Sequence, residues 1–324
     1  MSTNTPRYNE IFEKEKFVVQ PQLVVIGSCN VDMVTRVGRI PAPGETVTGG
    51  DLSVLFGGKG ANQAVMAARL GASVHMIGSI GRDSFGDDVV RNFERESVHI
   101  SFLARSDRAT GVALIAVDEH TGQNSIVVAP GANSALTVEQ VEAAADVIRH
   151  AGAVVAQLET PVQATIRAFQ IARVASVVTV FNPAPANTFP DTMFALCDVI
   201  TPNEYEAALI TGSDAIHSTD DAIKAARAIQ SRGAKAVIIT LGSRGALLLD
   251  GNGQVAQLSA EKVQAVDSTG AGDAFTGALA FGLARGDDLY NACQRAIKVA
   301  TMSVLKPGAM VSFPYAAEVG DLFA

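Results

Sequence analysis

Cysteine is scarce in this chain, three residues in 324. Cys29, Cys197 and Cys293 show no metal-ligand spacing, and so odd and sparse a set suggests reduced thiols and a cytoplasmic protein. Cys29 falls beside candidate ligand-binding residues, yet a free cysteine is most often a buried packing group. Basic clusters are missing too. The net charge is −8, which argues against nucleic acid as a partner while leaving room for a local anion site. No apolar run reaches the length that a membrane-crossing helix requires. Residues 1–22 are polar, carry Glu10, Glu13 and Glu15, and lack the apolar core of a signal peptide. They read as an N-terminal extension, either disordered or holding a short helix over 8–16. The five histidines stand apart from every polar grouping described below. Neither H-E-x-x-H nor G-x-S-x-G occurs, so zinc- and serine-hydrolase chemistry has little support. The dinucleotide fingerprint fails because Phe275 stands where its last glycine belongs, and the Walker loop fails because Gly58-Lys59 is followed by Gly60.

Apolar residues are plentiful, 48% against 18% charged, enough for a sizeable core in one large α/β domain. Short apolar runs over 23–27, 73–80, 153–157, 177–181, 198–201 and 236–240 read as strands. They alternate with helices over 60–70, 87–96, 137–150 (capped by Thr137), 162–174, from about Asn203, 219–231 (capped by Thr219), 273–285 and 289–304. That rhythm predicts one mostly parallel sheet with helices on both faces. Runs over 33–37, 45–55, 110–117 and 124–128 are separated by turn residues and do not alternate with helices. They predict a small separate sheet, inserted in two pieces at about 33–55 and 110–128, on a single domain spanning 23–324.

The most informative stretch is Asp267-Ser268-Thr269-Gly270-Ala271-Gly272-Asp273, directly before an apolar helix. A glycine turn feeding a helix start aims free N–H groups at one spot, and the helix dipole makes that spot suit an anion. The turn ends in a carboxylate, Asp273. That combination fits an acid that takes a proton from a hydroxyl as it attacks a phosphoryl group held by the N–H groups, the logic of a small-molecule kinase. An ordinary N-cap is the competing explanation. Ligands of an open parallel sheet bind beyond the carboxyl ends of its strands. Asn30 and Asp32 follow the first strand and share a face if the chain stays extended, a donor–acceptor mix suited to sugar hydroxyls or to an Asx turn. Gly57-Gly58-Lys59-Gly60-Ala61-Asn62 opens a helix, and its glycines permit hinge motion and close approach to a ligand. Glu159 ends a strand, where a solvated carboxylate is the default. Asn203 and Glu206 share a helix-start face, fit either to hold Mg²⁺ through water or to cap the helix. The turn Thr240, Leu241, Gly242, Ser243, Arg244, Gly245 serves either a nucleotide or a hairpin.

With these stretches in hand, the chain resembles the PfkB-type carbohydrate kinases, and within them the ribokinase group, from about Leu23 to Phe323. The two glycine motifs carry the resemblance, with Asn182-Pro183-Ala184-Pro185-Ala186, Thr201-Pro202-Asn203-Glu204 and Thr240 through Gly245 in the same order. The resemblance implies a three-layer α/β/α sandwich with a β lid, a homodimer in which two lids clasp, and transfer of the ATP γ-phosphate to O5 of D-ribose with Mg²⁺ and activation by K⁺. It implies sugar contacts at Asn30, Asp32, Gly58, Lys59, Gly60, Ala61, Asn62 and Glu159, with Asp273 as base and Ala271, Gly272 and Asp273 N–H groups as the anion hole. ATP would meet Asn203, Thr240 through Gly245, Gly272 and Asp273, and Glu206 would support Mg²⁺ through water. A K⁺ loop would use Asp267, Thr269, Ser303, Lys306, Gly308 and Ser312, with Pro307 altering its shape. Ile297 departs from the polar residue that relatives often carry near the adenine and implies an apolar contact there. Kinases of the same fold acting on 2-deoxyribose, fructose or an adenosine-like nucleoside stay open, as does a non-catalytic sugar sensor. Intact Asp273 argues against the sensor, which has no use for a base.

Overall fold

A computed structural model describes residues 20–323, so the short helix expected over 8–16 lies outside the described residues. The strands are β1 Gln22–Ile26, β2 Asn30–Val37, β3 Gly49–Gly57, β4 Ser73–Gly81, β5 Val98–Ser106, β6 Gly111–Asp118, β7 Asn124–Ala129, β8 Ala153–Ala156, β9 Val178–Phe181, β10 Val199–Ile200, β11 Ala236–Thr240, β12 Ala246–Leu249 and β13 Val255–Leu258. The helices are α1 Lys59–Arg69, α2 Ser84–Arg95, α3 Val138–Ala143, α4 Ala145–His150, α5 Val162–Val174, α6 Glu204–Thr211, α7 Thr219–Ser231, α8 Ala271–Ala284, α9 Leu289–Ser303 and α10 Ala316–Val319.

Nine strands form one sheet in the order β13-β12-β11-β10-β9-β8-β1-β4-β5. It is parallel from β5 to β11, and β12 and β13 return antiparallel. Period-two alternation splits each strand between two cores. Leu23, Val25, Val74, Val155 and Ile238 pack with α1, α2, α8 and α9 on one face. Val24, Ile26, Val154, Val237 and Ile239 pack with α3 to α7 on the other. The result is the expected three-layer sandwich, its strands apolar on both sides as a fully covered parallel sheet requires.

The second sheet has the order β3-β2-β6-β7. Only β2 and β6 pair parallel. It begins at Asn30, three residues earlier than the β-branched run at 33–37 indicated. The chain therefore passes from β1 into this lid through Gly27-Ser28-Cys29 alone. After β1 the chain builds outward through β4 and β5, then returns by way of the lid to add β8 on the other side. The sheet's order reverses there, at the place where open α/β sheets bind ligands.

Four further differences separate the structure from the sequence pattern. β5 escapes a reading by apolar run because it is an edge strand mixing His99, Ser101 and Arg105 with apolar residues. The turn after β11 is a hairpin, one of its two readings, and the strands β12 and β13 that it leads into were not among the expected runs. The helix expected over 137–150 breaks at Ala144, which is fully buried with φ −95° and ψ 8°; no local residue signals the break. Thr137 caps α3 as expected through a capping box with Gln140, whereas α7 is capped by Ser218 with Asp221 rather than by Thr219.

Candidate active site

The site is assembled at the carboxyl ends of β1, β8, β9, β10 and β11 and at the first turns of α1, α6 and α8. Asn30 and Asp32 lie two apart in β2 and share a face. Asn30 is 4% exposed, and its side-chain oxygen accepts from Asn133 Nδ2 at 2.7 Å. Asn133 is itself held by the Cys29 N–H at 2.8 Å. With the Asn30 oxygen engaged by Asn133, its NH₂ has no partner among the described residues and is the donor that can meet a ligand. Asp32 is the complementary acceptor. Burial first, then repulsion from Glu159 and Asp273, pushes its carboxyl up to about 6.

The glycine run before α1 has a packing reason at each position. A Cβ on Gly57 would fall 2.1 Å from Asp32 Oδ2, one on Gly60 would fall 2.6 Å from Ser28 N, and Gly58 has φ +89°. The glycines thus fit the chain over the lid entry, a steric account that differs from the hinge expected. Glu159 is not a solvated strand end. It sits at the start of α1, accepting from the Lys59 N–H at 3.0 Å and from Ser28 Oγ, where a carboxylate also complements the helix dipole. Ala61 is buried in the same turn. Burial opposes the charge on Lys59, but the carboxylates of Asp273, Glu159 and Glu206 outweigh it and raise its pKa. Four charges contributed by three helix starts and a strand end therefore act on one another in one place.

Gly270 adopts the left-handed conformation, φ +78°, and starts α8. Asp273 is the third residue of that helix and is 5% exposed. Its Oδ2 accepts from Asn62 Nδ2 at 2.9 Å and its Oδ1 from Gln63 Nε2 at 3.0 Å. Of the three N–H groups expected to form the anion hole, that of Ala271 already donates to the Ser268 carbonyl at 3.2 Å. Those of Gly272 and Asp273 have no acceptor among the described residues, and nothing lies within 4 Å of a Cβ built on Gly272.

Asn203 and Glu206 form a reciprocal capping box, Asn203 N–H to Glu206 Oε2 at 2.9 Å and Glu206 N–H to Asn203 Oδ1 at 2.8 Å. The capping role is real, and it leaves Glu206 Oε1 uncommitted. Burial pushes the Glu206 carboxyl up, with Asn203 and Lys59 pulling the other way. Thr240 bridges to Asn203. Leu241 is buried, while Gly242, Ser243 and Arg244 are exposed before buried Gly245. Arg244 pairs with Glu204 at the start of α6. Ile297 is 6% exposed and packs in the core. Around Asp267, Oδ1 accepts from Thr269 N–H and Oγ1 at 2.9 and 2.7 Å, and Oδ2 accepts from Gly308 N–H at 2.8 Å. Burial would raise this carboxyl, but the bonds from Thr269 and Gly308 hold it below its ordinary value. Ser303 and Ser312 are buried, their hydroxyls donating to the Ala300 and Ala309 carbonyls at 2.8 Å each, whereas the Lys306 ammonium turns to Glu318 at 2.7 Å. A cavity of about 630 Å³ at the opposite, amino ends of the strands is walled by Arg173, Asp198 and Lys235 and contains none of these groups.

Sequence reasoning missed Gln63, Asn133 and, as functional groups, Gln157 and Asn182. All four are buried amides. Gln63 carried one signal, a polar residue inside an apolar helical run, and Asn133 carried none.

A proton acceptor beside free N–H groups at a helix start, over a parallel sheet with a lid, defines a phosphotransferase acting on a small alcohol. The pfkB family carbohydrate kinase model matches residues 20–316, and the chain belongs to that family. It is 42% identical to a ribokinase of Mus musculus over 298 residues, covering 90% of this chain and 92% of the relative. It is 34% identical to a deoxyribokinase of Salmonella typhi, covering 90% and 95%. The structure of an Arabidopsis thaliana ribokinase complexed with ribose and ATP superposes with a TM-score of 0.85 at 30% identity, covering 94% of this chain and 98% of that one.

Proposed function

We propose that the protein transfers the γ-phosphoryl group of ATP to O5 of D-ribose, giving ribose 5-phosphate and ADP. Asp273 removes the proton of the primary hydroxyl as its oxygen bonds to the γ-phosphorus. The bond from phosphorus to the β–γ bridging oxygen breaks, and ADP leaves. Phosphoryl transfer asks the protein chiefly for positioning and charge stabilisation. Gly272 and Asp273 supply two free N–H groups for the transferring oxygens, with Ala271 contributing less. Lys59 adds positive charge from the facing helix. Asn30, Asp32, Asn62 and Glu159 hold the sugar together with the backbone of Gly58, Lys59, Gly60 and Ala61. Asn203 and the turn from Thr240 to Gly245, exposed at Gly242, Ser243 and Arg244, receive the nucleotide, and Ile297 walls its adenine. The observation that carries this reading is the pairing of the buried Asp273 carboxylate with the unpartnered N–H groups of Gly272 and of Asp273 itself.

No group of three or more His, Cys, Asp or Glu side chains able to hold a metal occurs among the described residues. Mg²⁺ suits this site as an ion carried by the nucleotide phosphates, with Glu206 Oε1 free to hold one of its waters. When bound, the ion neutralises charge on the transferring group. K⁺ would be held by oxygens of Asp267, Thr269, Ser303, Lys306, Gly308 and Ser312, several of them backbone carbonyls. We further infer a single domain over 23–324 preceded by an extension, a cytoplasmic setting, and a homodimer joined at the lids. No helix among the described residues is long and apolar enough to cross a membrane.

The test is an ATP-consumption screen over pentoses, hexoses and nucleosides, with and without K⁺. Ribose is expected to give the highest kcat/KM, well above 2-deoxyribose, because a deoxy sugar leaves the Asn30 amide unpaired. Equal values for the two sugars would remove Asn30 from that role, and ribose binding without ADP release would return the protein to the sensor class.

A further inference from the structure

Sugar binding accounts for one of the two groups that hold Asp273. Asn62, on Oδ2, is a sugar contact; Gln63, on Oδ1, has no such role. Gln63 is fully buried in α1. Its second N–H goes to Asn182 Oδ1 at 3.1 Å, and its own oxygen accepts from Gln157 Nε2 at 2.6 Å. Asn182 in turn donates to the Thr201 carbonyl at 3.0 Å. Both donors and the acceptor of the Gln63 amide are thereby used. The direction is also fixed: the Asp273 carboxylate only accepts, so the amino end of Gln63 faces it. A residue needed only for packing between α1 and the sheet would be apolar here, since burying an amide costs free energy that its hydrogen bonds must offset. Asn62 differs, for its Oδ1 is buried without a partner and its amide is only half used.

We propose that Gln63 is a positioning residue: it immobilises the Asp273 carboxylate through Oδ1, so that Oδ2 is the atom that takes the proton of the attacking hydroxyl. The proposal rests on Asp273 acting as base on a sugar. Asn62 then exchanges its bond to Oδ2 for one to the incoming sugar, which also satisfies its idle oxygen. The carboxylate does not swing during that exchange, because the Gln157–Gln63–Asn182 chain anchors its other oxygen to the ends of β8 and β9. Reacting groups held in this way lose little to reorientation.

The experiment is steady-state kinetics of the full chain carrying Gln63→Met or Gln63→Glu, with folding at the assay temperature verified by circular dichroism. Methionine keeps the length and removes the donors; glutamate keeps an acceptor for Gln157 and sets a carboxylate against Asp273. Gln63→Met is expected to lower kcat roughly 10–100-fold while KM for ribose and for ATP each stay within about threefold. Gln63→Glu is expected to lose more. Gln157→Met, one bond further from the base, is expected to lower kcat severalfold with both KM values unmoved, and it decides the question if the Gln63 variants do not fold. Unchanged kcat in the folded variants, or a loss confined to KM, overturns the proposal. A wild-type protein that phosphorylates no sugar refutes the reaction itself, a different outcome.

Discussion

At the scale of single residues, the site is a set of polar groups whose burial costs are met by specific partners. Asp273 is the sharpest case, since its side chain touches the reacting atoms in the proposed step. Asp273→Asn keeps the shape and the hydrogen-bonding volume, so the variant is expected to fold and bind ribose. Its kcat should fall by about 10²–10⁴, the usual worth of a general base; equilibrium binding and single-turnover measurements separate the two effects. Asp32 carries a pH dependence. Its folded-state carboxyl sits at about 6 through burial and the nearby Glu159 and Asp273 charges, so the folded protein favours the neutral acid. That stabilising contribution is complete below the ordinary value of 3.8 and is lost as pH rises through about 6. At neutral pH the ionised Asp32 therefore costs up to about 3 kcal/mol. Asp32→Asn should raise the Tm of the sugar-free protein at pH 7.5, the gain vanishing toward pH 4, while weakening ribose. In the wild type, KM for ribose should rise as pH falls below 6.

At the scale of elements, α1 is the hub. Its first turn presents Lys59, Asn62 and Gln63 to the site, and its last residue, Arg69, holds the segment after α9. Arg69 binds Glu96 in a two-pronged pair at 2.9 and 2.6 Å and donates to the carbonyls of Met310 and Phe313, each at 2.8 Å. The side chains of the pair are 7% and 11% exposed, and the Tyr315 ring covers the guanidinium at 4.3 Å. Removing one member of such a buried pair leaves an unpaired charge, here with two orphaned carbonyls as well. Arg69→Ala is expected to cost about 3–5 kcal/mol of stability, read by urea denaturation. Because the same segment contains Gly308 and Ser312, any K⁺ activation should weaken alongside. The glycine motif at the head of α1 was conspicuous in the sequence, whereas the tie at its tail was not, since Arg69 reads as an ordinary last-turn cation.

At the scale of the whole molecule, the lid leaves apolar surface uncovered. Val54, Met33, Leu114 and Val127 are in register across one face of the lid sheet, opposite the face that carries Asp32. Leu114 is 51% and Val127 63% exposed. A second lid laid on this row would bury it, and exposed apolar rows on a small sheet mark association surfaces. Leu114→Glu with Val127→Glu should convert the dimer we infer to monomers in sedimentation equilibrium. KM for ribose should rise if lid position depends on that contact. A wild-type protein that sediments as a monomer at micromolar concentration removes the lid dimer.

The alternation of apolar runs with helical segments was enough to define a covered parallel sheet, because strand burial on both faces leaves its mark in every residue of the run. The glycine-rich turns were legible too, since backbone constraints restrict residue choice locally. The charges that act on Lys59 arise from Glu159, Glu206 and Asp273, distant in sequence, and only the reversal of strand order at β1 and β8 brings them together. The amides of Gln63, Asn133, Gln157 and Asn182 gain their meaning the same way. A buried polar side chain is defined by its partners, and those partners lie on other elements.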